Sequence, residues 1–141
     1  MIVIGQGVVD WVAERALCYV GPYCRGIGLS RNGKIVAGVV YTDFNGRNVK
    51  VHQAIEGRIN RQYLWTLSDY AFNQLKAERV TGEIPQGNKK AQRAAEKIGF
   101  RLETTLKDAH PSGDILVYVI RKKDCRWLNE NIYKDRLALA A

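Results

Sequence analysis

Val49-Lys50-Val51-His52-Gln53-Ala54-Ile55, then Asn60 to Lys76, then Arg79-Val80-Thr81-Gly82-Glu83-Ile84 decide the fold. The first stretch alternates apolar and polar residues, the signature of a half-buried strand. The period then changes from two to 3.6. Leu64, Leu67, Ala71 and Leu75 form one apolar stripe with Phe72 beside it, predicting an amphipathic helix over 60–76. Arg79–Ile84 returns to strand character and is closed by Pro85. A strand–helix–strand succession joins its two strands in parallel, because a crossover of that length cannot make a hairpin.

Upstream, the pattern reads as an antiparallel meander. Gly26–Arg31 and Lys34–Phe44 flank Asn32-Gly33, a pair suited to a type I′ turn because both residues tolerate positive φ. Asn45-Gly46 predicts a second such turn before Val49–Ile55. Before the meander, Val8, Val12, Ala16 and Val9, Ala13, Leu17 recur at helical spacing, predicting a helix over Val8–Cys18 that ends by Gly21-Pro22. Downstream, Asn88 is a suitable N-cap for a helix over Lys89–Ile98, with Gly99 at its left-handed C-terminal position. Arg101–Leu106 and Ile115–Arg121 read as strands around the turn Pro111-Ser112-Gly113-Asp114. The tail from Cys125 to Ala141 has helical character without a clear place. The expected architecture is one α+β domain over residues 1–141: a mixed, mostly antiparallel twisted sheet with a central parallel pair and flanking helices.

Composition bounds the function. The chain has 141 residues, 46% of them hydrophobic, enough for one domain with its own core. No apolar run approaches the roughly 18–20 residues of a membrane span, and Met1–Gly7 lacks a signal-peptide layout, so a cytoplasmic protein is expected. Cys18, Cys24 and Cys125 are odd in number and have no C-x-x-C spacing, which argues against a disulfide framework or structural zinc, and no metal site is expected. A net charge of +8 favours an anionic partner, which leaves nucleic acid, an acidic protein and a phosphate-rich ligand open. No nucleic-acid reader motif accompanies it.

The run Gly87-Asn88-Lys89-Lys90-Ala91-Gln92-Arg93-Ala94-Ala95-Glu96-Lys97-Ile98-Gly99-Phe100-Arg101-Leu102-Glu103 resembles the GCN5-related N-acetyltransferase (GNAT) pattern: an Asn, an Ala three residues on, then E-K-x-G-F-x-x-E. Leu106, Gly113-Asp114 and Val117-Tyr118 continue it. Tyr70–Gly82 and the ending Arg121–Leu128 resemble a short subgroup often encoded in phages and prophages. The resemblance spans about Gly26 to Leu128.

The resemblance implies a domain of the GNAT type. It implies acetyl-coenzyme A as co-substrate, lying in a V-shaped gap between the two parallel strands. Loop amides at the start of the following helix would cradle its pyrophosphate, and the pantetheine arm would pair with strand edges. Transposed to this chain, the cofactor-binding residues are Ile55, Gly57, Arg58, Ile59, Asn60, Arg61, Gln62, Asn88 and Arg93. The family loop carries two glycine or alanine positions, and by helix register Arg58 and Asn60 stand there. Either these larger residues weaken the cradle, or Arg58 and Arg61 replace bare amides with charge-assisted contacts. The arginines, like Lys89, Lys90 and Arg93, also have the simpler reading of a solvated basic face.

Acetyl transfer to an amine needs a base, a polarised carbonyl and an acid for the leaving thiolate. The tyrosine acid implied by the family falls at Ala95, and Tyr118 is its candidate replacement, unless it only edges the core. His52 is the leading base by its near-neutral titration, with Glu56 and Glu83 as alternatives and a water as relay. Direct attack with little base help is also chemically adequate. The acceptor amine is open among protein, peptide, small molecule and RNA-linked amines. A catalytically inactive scaffold that binds a host macromolecule is the alternative function. A homodimer through Trp127, Leu128, Ile132 and Leu137 is a further possibility.

Overall fold

In the computed structural model, which describes residues 1–16 and 20–128, the meander is built as its turns demand. Asn32 and Gly33 have φ of 53° and 77°, and this left-handed pair joins β2 (Arg25–Arg31) to β3 (Lys34–Thr42). The second connection differs from the predicted two-residue turn. Residues 43–47 form a longer loop before β4 (Asn48–Ile55), because the Asn45 Oδ1 accepts the amides of Arg47 and Asn48 at 3.0 and 2.8 Å. A short β1 (Ile2–Ile4) adds to the outer edge of β2, with Ile2 opposite Leu29. Three residues are too few to show a period, so this strand was not read from the sequence.

α1 (Gln6–Ala16) starts two residues earlier than expected. It lies flat on β2 and β3 through Val8, Val9 and Val12 because Gly26, Gly28 and Gly38 face it. A Cβ on Gly38 would come 2.8 Å from the Val12 side chain, so only glycine permits that approach. The predicted end of this helix at Leu17 and Cys18 lies outside the described residues, as do Ile132 and Leu137.

β4 pairs in parallel with β5 (Arg79–Pro85) from Asn48–Arg79 to Val51–Gly82. Between them, Asn60 caps α2 (Arg61–Ser68). The predicted continuous helix is interrupted: Asp69–Gln74 form a π-helical turn, in which the Leu75 amide reaches the Tyr70 carbonyl at 2.9 Å. The wider turn seats Ala71 and Phe72 in the core and leaves Leu75 at its margin. α3 (Lys89–Ile98) ends as read. Gly99 has φ of 120°, and the amides of Gly99 and Phe100 close a Schellman motif on Glu96 and Ala95.

β6 (Arg101–His110) is longer than expected and turns through Pro111-Ser112 into β7 (Gly113–Arg121). The sheet has seven strands in the order β1-β2-β3-β4-β5-β7-β6. α1 covers one face at β2–β4. The other face carries the main core, where Ile27, Val39, Tyr41, Val49, Val80 and Ile120 meet Ala71 and Phe72, and α3 lies beyond it over Ile84 and Tyr118.

β6 is the exposed edge, interrupted by bulges between Leu102 and Thr104 and between Leu106 and His110. Its Glu103 accepts Arg79 of β5 at 2.8 Å and Arg121 of β7 at 3.3 Å, and the Arg79 hydrogen bond holds its carboxyl below the usual glutamate range. Residues 122–128, after β7, fold back on the same domain. The Trp127 indole donates to the Ile98 carbonyl at 2.7 Å, and Leu128 packs against the main core.

Candidate active site

Parallel pairing stops at Val51 and Gly82, yet β4 runs on to Ile55 and β5 to Pro85. Their outer edges stay paired, to β3 and β7 respectively, so the two inner edges diverge without a ladder partner. The wedge between them, floored by α3 and β7, is a cleft of 570 Å³. Six of the sequence-predicted residues line it: His52, Ile55, Glu56, Glu83, Asn88 and Tyr118.

His52 lies on β4 just past the last parallel pair. Burial pushes its imidazole pKa below the ordinary 6.5, helped by Lys50 and opposed by Glu83 and Asp43. Among the described residues nothing hydrogen-bonds its ring, so at neutral pH it is a neutral imidazole free to accept a proton. The two carboxylate alternatives are already paired. Glu83 meets the Lys50 ammonium at 3.4 Å. Glu56 accepts the Arg15 Nε at 2.7 Å, and Arg15 in turn stacks 4.1 Å over Trp11.

Tyr118 is 3% exposed and packs with Ile84 and Ala95. Its hydroxyl donates to Glu96 at 3.1 Å, and burial followed by that bond raises its pKa, so the phenol keeps its proton. Ala95 therefore carries a methyl where the family pattern places a tyrosine ring, and the facing strand supplies a phenol against it.

The turn from β4 into α2 lines one end of the cleft with Glu56 and beyond it lies outside the lining. The amides of Glu56 and Gly57 both donate to the Val36 carbonyl, at 2.8 and 3.0 Å. Gly57 sits so close to Val36 that a Cβ would come within 2.8 Å of the valine Cβ. The Arg58 carbonyl accepts Arg31. Ile59 packs beside Leu29, Ala37 and Tyr63. Asn60 is spent as the N-cap: its side chain accepts the Tyr63 amide at 2.8 Å. Arg58, Arg61 and Gln62 are exposed, and the first-turn amides of a helix have no intrahelical acceptor. The exposed guanidiniums and these amides make that turn electropositive. Asn60→Ala is expected to lower stability by about 1 kcal/mol, read as a reduced urea midpoint.

On α3, the Asn88 side chain accepts the Ala91 amide at 3.1 Å and also lines the cleft. Lys90, Ala91 and Ala94 share that face, whereas Arg93 is exposed outside it. Sequence reading missed Arg15 and His110 as lining residues, while Lys90, read as near a phosphate-rich ligand or on a solvated basic face, lines the cleft. Arg15 and Glu56 are 41 residues apart, and no local pattern announces their pairing. Among the described residues no cluster of His, Cys, Asp or Glu has the arrangement of a metal site, and no helix is long and apolar enough to cross a membrane.

A mixed sheet with one parallel pair that splays at its centre, and helices on both faces, is the GNAT acetyltransferase fold. Among solved structures, the chain resembles a mutant form of the spermidine/spermine N-acetyltransferase SpeG from Vibrio cholerae, with a TM-score of 0.70 and 16% identity over 92% of this chain and 98% of that one. It also resembles a GNAT-family acetyltransferase from Bacillus anthracis, with a TM-score of 0.55 and 20% identity over 71% of this chain and 66% of that one. A longer structure described as an acetyltransferase matches with a TM-score of 0.63 and 21% identity over 74% of this chain, which spans 60% of its length. No family profile and no curated protein matches the sequence.

Proposed function

We propose that this chain is a GNAT acetyltransferase, of the short phage-type subgroup its sequence resembles, that moves the acetyl group of acetyl-CoA onto an amine. The observation that carries the reading is the divergence of β4 and β5 beyond Val51 and Gly82. It leaves two unpaired strand edges along a cleft with a neutral imidazole and a protonated phenol in its walls.

These residues suit the co-substrate. The inner edges of β4 and β5, at Ile55 among others, offer backbone groups to an amide-bearing arm, as an added strand would use them. At the end of the cleft, Arg58, Arg61 and the amides of residues 58–62 present positive charge suited to a pyrophosphate. Asn88, which caps α3 and lines the cleft, would contact the arm from that side. When bound, acetyl-CoA supplies the activated thioester. His52 takes the proton that the amine loses as its nitrogen forms the new C–N bond. Tyr118 gives a proton to the sulfur as the C–S bond breaks, its single O–H turning away from Glu96 to do so. The amine acceptor stays open among proteins, peptides, small molecules and RNA-linked amines. The relation to the Vibrio fold adds polyamines to the acceptors to be screened.

Calorimetry with acetyl-CoA tests the site. Wild type is expected to bind at micromolar concentration, and the Arg58→Ala/Arg61→Ala variant about tenfold more weakly, near 1.4 kcal/mol. Equal affinity in the variant would return the pyrophosphate to the amides alone. No binding by wild type would favour the other reading, a non-catalytic scaffold for a host macromolecule. That reading draws on the same loop, where Asn60 and Arg58 stand at the glycine positions.

A further inference from the structure

The cleft has a closed end, where parallel pairing stops at Val51 and Gly82, and Lys50 stands at it. Lys50 pairs with Thr81 one step before the strands part, and Glu83 follows Gly82 as the first residue of β5 past the split. The Lys50 Nζ lies 3.4 Å from the Glu83 Oε1, so this side chain spans from β4 to the divergent part of β5, whose Glu83 lines the cleft. His52 is two residues further along β4. Alternation puts it on the same face as Lys50, with the two Cα atoms about 7 Å apart. The three groups feel one another: Glu83 raises and Lys50 lowers the pKa of His52. The Lys50 and Glu83 side chains are 43% and 33% exposed, and a pair this open to water holds its ends weakly. The amine can therefore leave the carboxylate without disturbing the strands. Lys90 lines the cleft directly, but from the first turn of α3, beyond the end of β5.

We propose that Lys50 is a modification site, acetylated on its Nζ within the chain's own cleft. The inference rests on the acetyl-transfer reading above, which brings the thioester to His52. A neutral Nζ attacks the acetyl carbonyl carbon, the C–N bond forms and the C–S bond breaks. His52 takes the proton that the nitrogen loses, and the sulfur leaves as the thiol of CoA with the Tyr118 proton. The products are acetyl-lysine and CoA, with nothing oxidised or reduced. Only a small fraction of a lysine is neutral near pH 7, so the step is slow. The amine is tethered beside the base, however, and needs no encounter. The product carries no charge, so Glu83 loses its cation.

Incubation with acetyl-CoA, followed by peptide mass spectrometry, tests the proposal. Wild type is expected to gain the mass of one acetyl group on the peptide bearing Lys50, at a first-order rate that does not change with protein concentration. His52→Gln is expected to slow this labelling about a hundredfold. Lys50→Arg keeps a cation for Glu83 and is expected to lose the label from that peptide. Calorimetric affinity for acetyl-CoA, expected unchanged in both variants, shows that the cleft is intact. Labelling of Lys50 no faster than that of Lys90, or undiminished in His52→Gln, would reduce it to plain chemical acetylation and overturn the proposal. A rate that rises with protein concentration would overturn it as well, because the transfer would then run between molecules. If wild type binds no acetyl-CoA, the acetyl-transfer reading fails and takes this inference with it. If it binds and Lys50 stays unmodified, only this inference fails.

Discussion

His52→Gln is expected to lower kcat for acetyl transfer by about a hundredfold or more, within the 10²–10⁴ range for loss of a general base, with acetyl-CoA affinity nearly unchanged. Glutamine fills a similar volume and cannot accept a proton from an ammonium. The wild-type pH profile should carry the mark of the same group. Burial depresses the imidazole pKa below 6.5, and only the neutral ring is a base. The rate should therefore rise as pH climbs through that lowered pKa and be level by neutrality. In His52→Gln the acidic limb should vanish with the rate. A variant that keeps the limb would move the base role to Glu83, which would first have to leave Lys50.

Phe72→Ala is expected to cost about 3–5 kcal/mol, the usual range for an aromatic removed from a filled core. Phe72 is 2% exposed and meets Val39, Val49, Val80 and Ile120 from the π-helical turn. Against a total stability of about 5–15 kcal/mol for a domain, this is enough to unfold a substantial share of molecules on mild warming. A urea titration should show a lower midpoint with an unchanged slope. A loss under about 1 kcal/mol would mean that the π turn relaxes to regular helix and brings Leu75 inward instead.

The parallel pair was legible because it depends on a change of period, from Val49–Ile55 to Leu64–Leu75 and back at Arg79. The gap between its strands came from the family resemblance, and the point where they part, after Val51 and Gly82, was not read. Turns were legible where one backbone requirement picks one residue, as at Asn32-Gly33 and Gly99. They were not legible at Asn45-Gly46, where a side-chain bond from Asn45 captured two amides and lengthened the loop. The π turn escaped because a single extra residue leaves the apolar spacing of the helix almost unaltered. In the cleft, His52, Glu56, Glu83 and Tyr118 were named from chemistry, and all four line it. What no window of sequence could hold was the pairing of Glu56 with Arg15 and of Glu83 with Lys50. Those contacts single out His52 as the group left, among the described residues, without a hydrogen-bonded partner. His110 was missed as a lining residue because β6, read as ending at Leu106, runs on to carry it to the cleft.

The outermost strand, β6, has a consequence for behaviour at high concentration. Ten residues of open edge with Leu102 and Leu106 exposed would ordinarily template the stacking of one molecule's sheet on another's. The two bulges leave no uninterrupted register longer than Thr104–Leu106, and Asp108, at φ of 54°, turns the backbone out of the strand region. Arg101 and Lys107 add like charge where two such edges would meet. The same irregularities that lead β6 to its turn thereby discourage intermolecular aggregation, and variants that straighten this strand should lose solubility before they lose their fold.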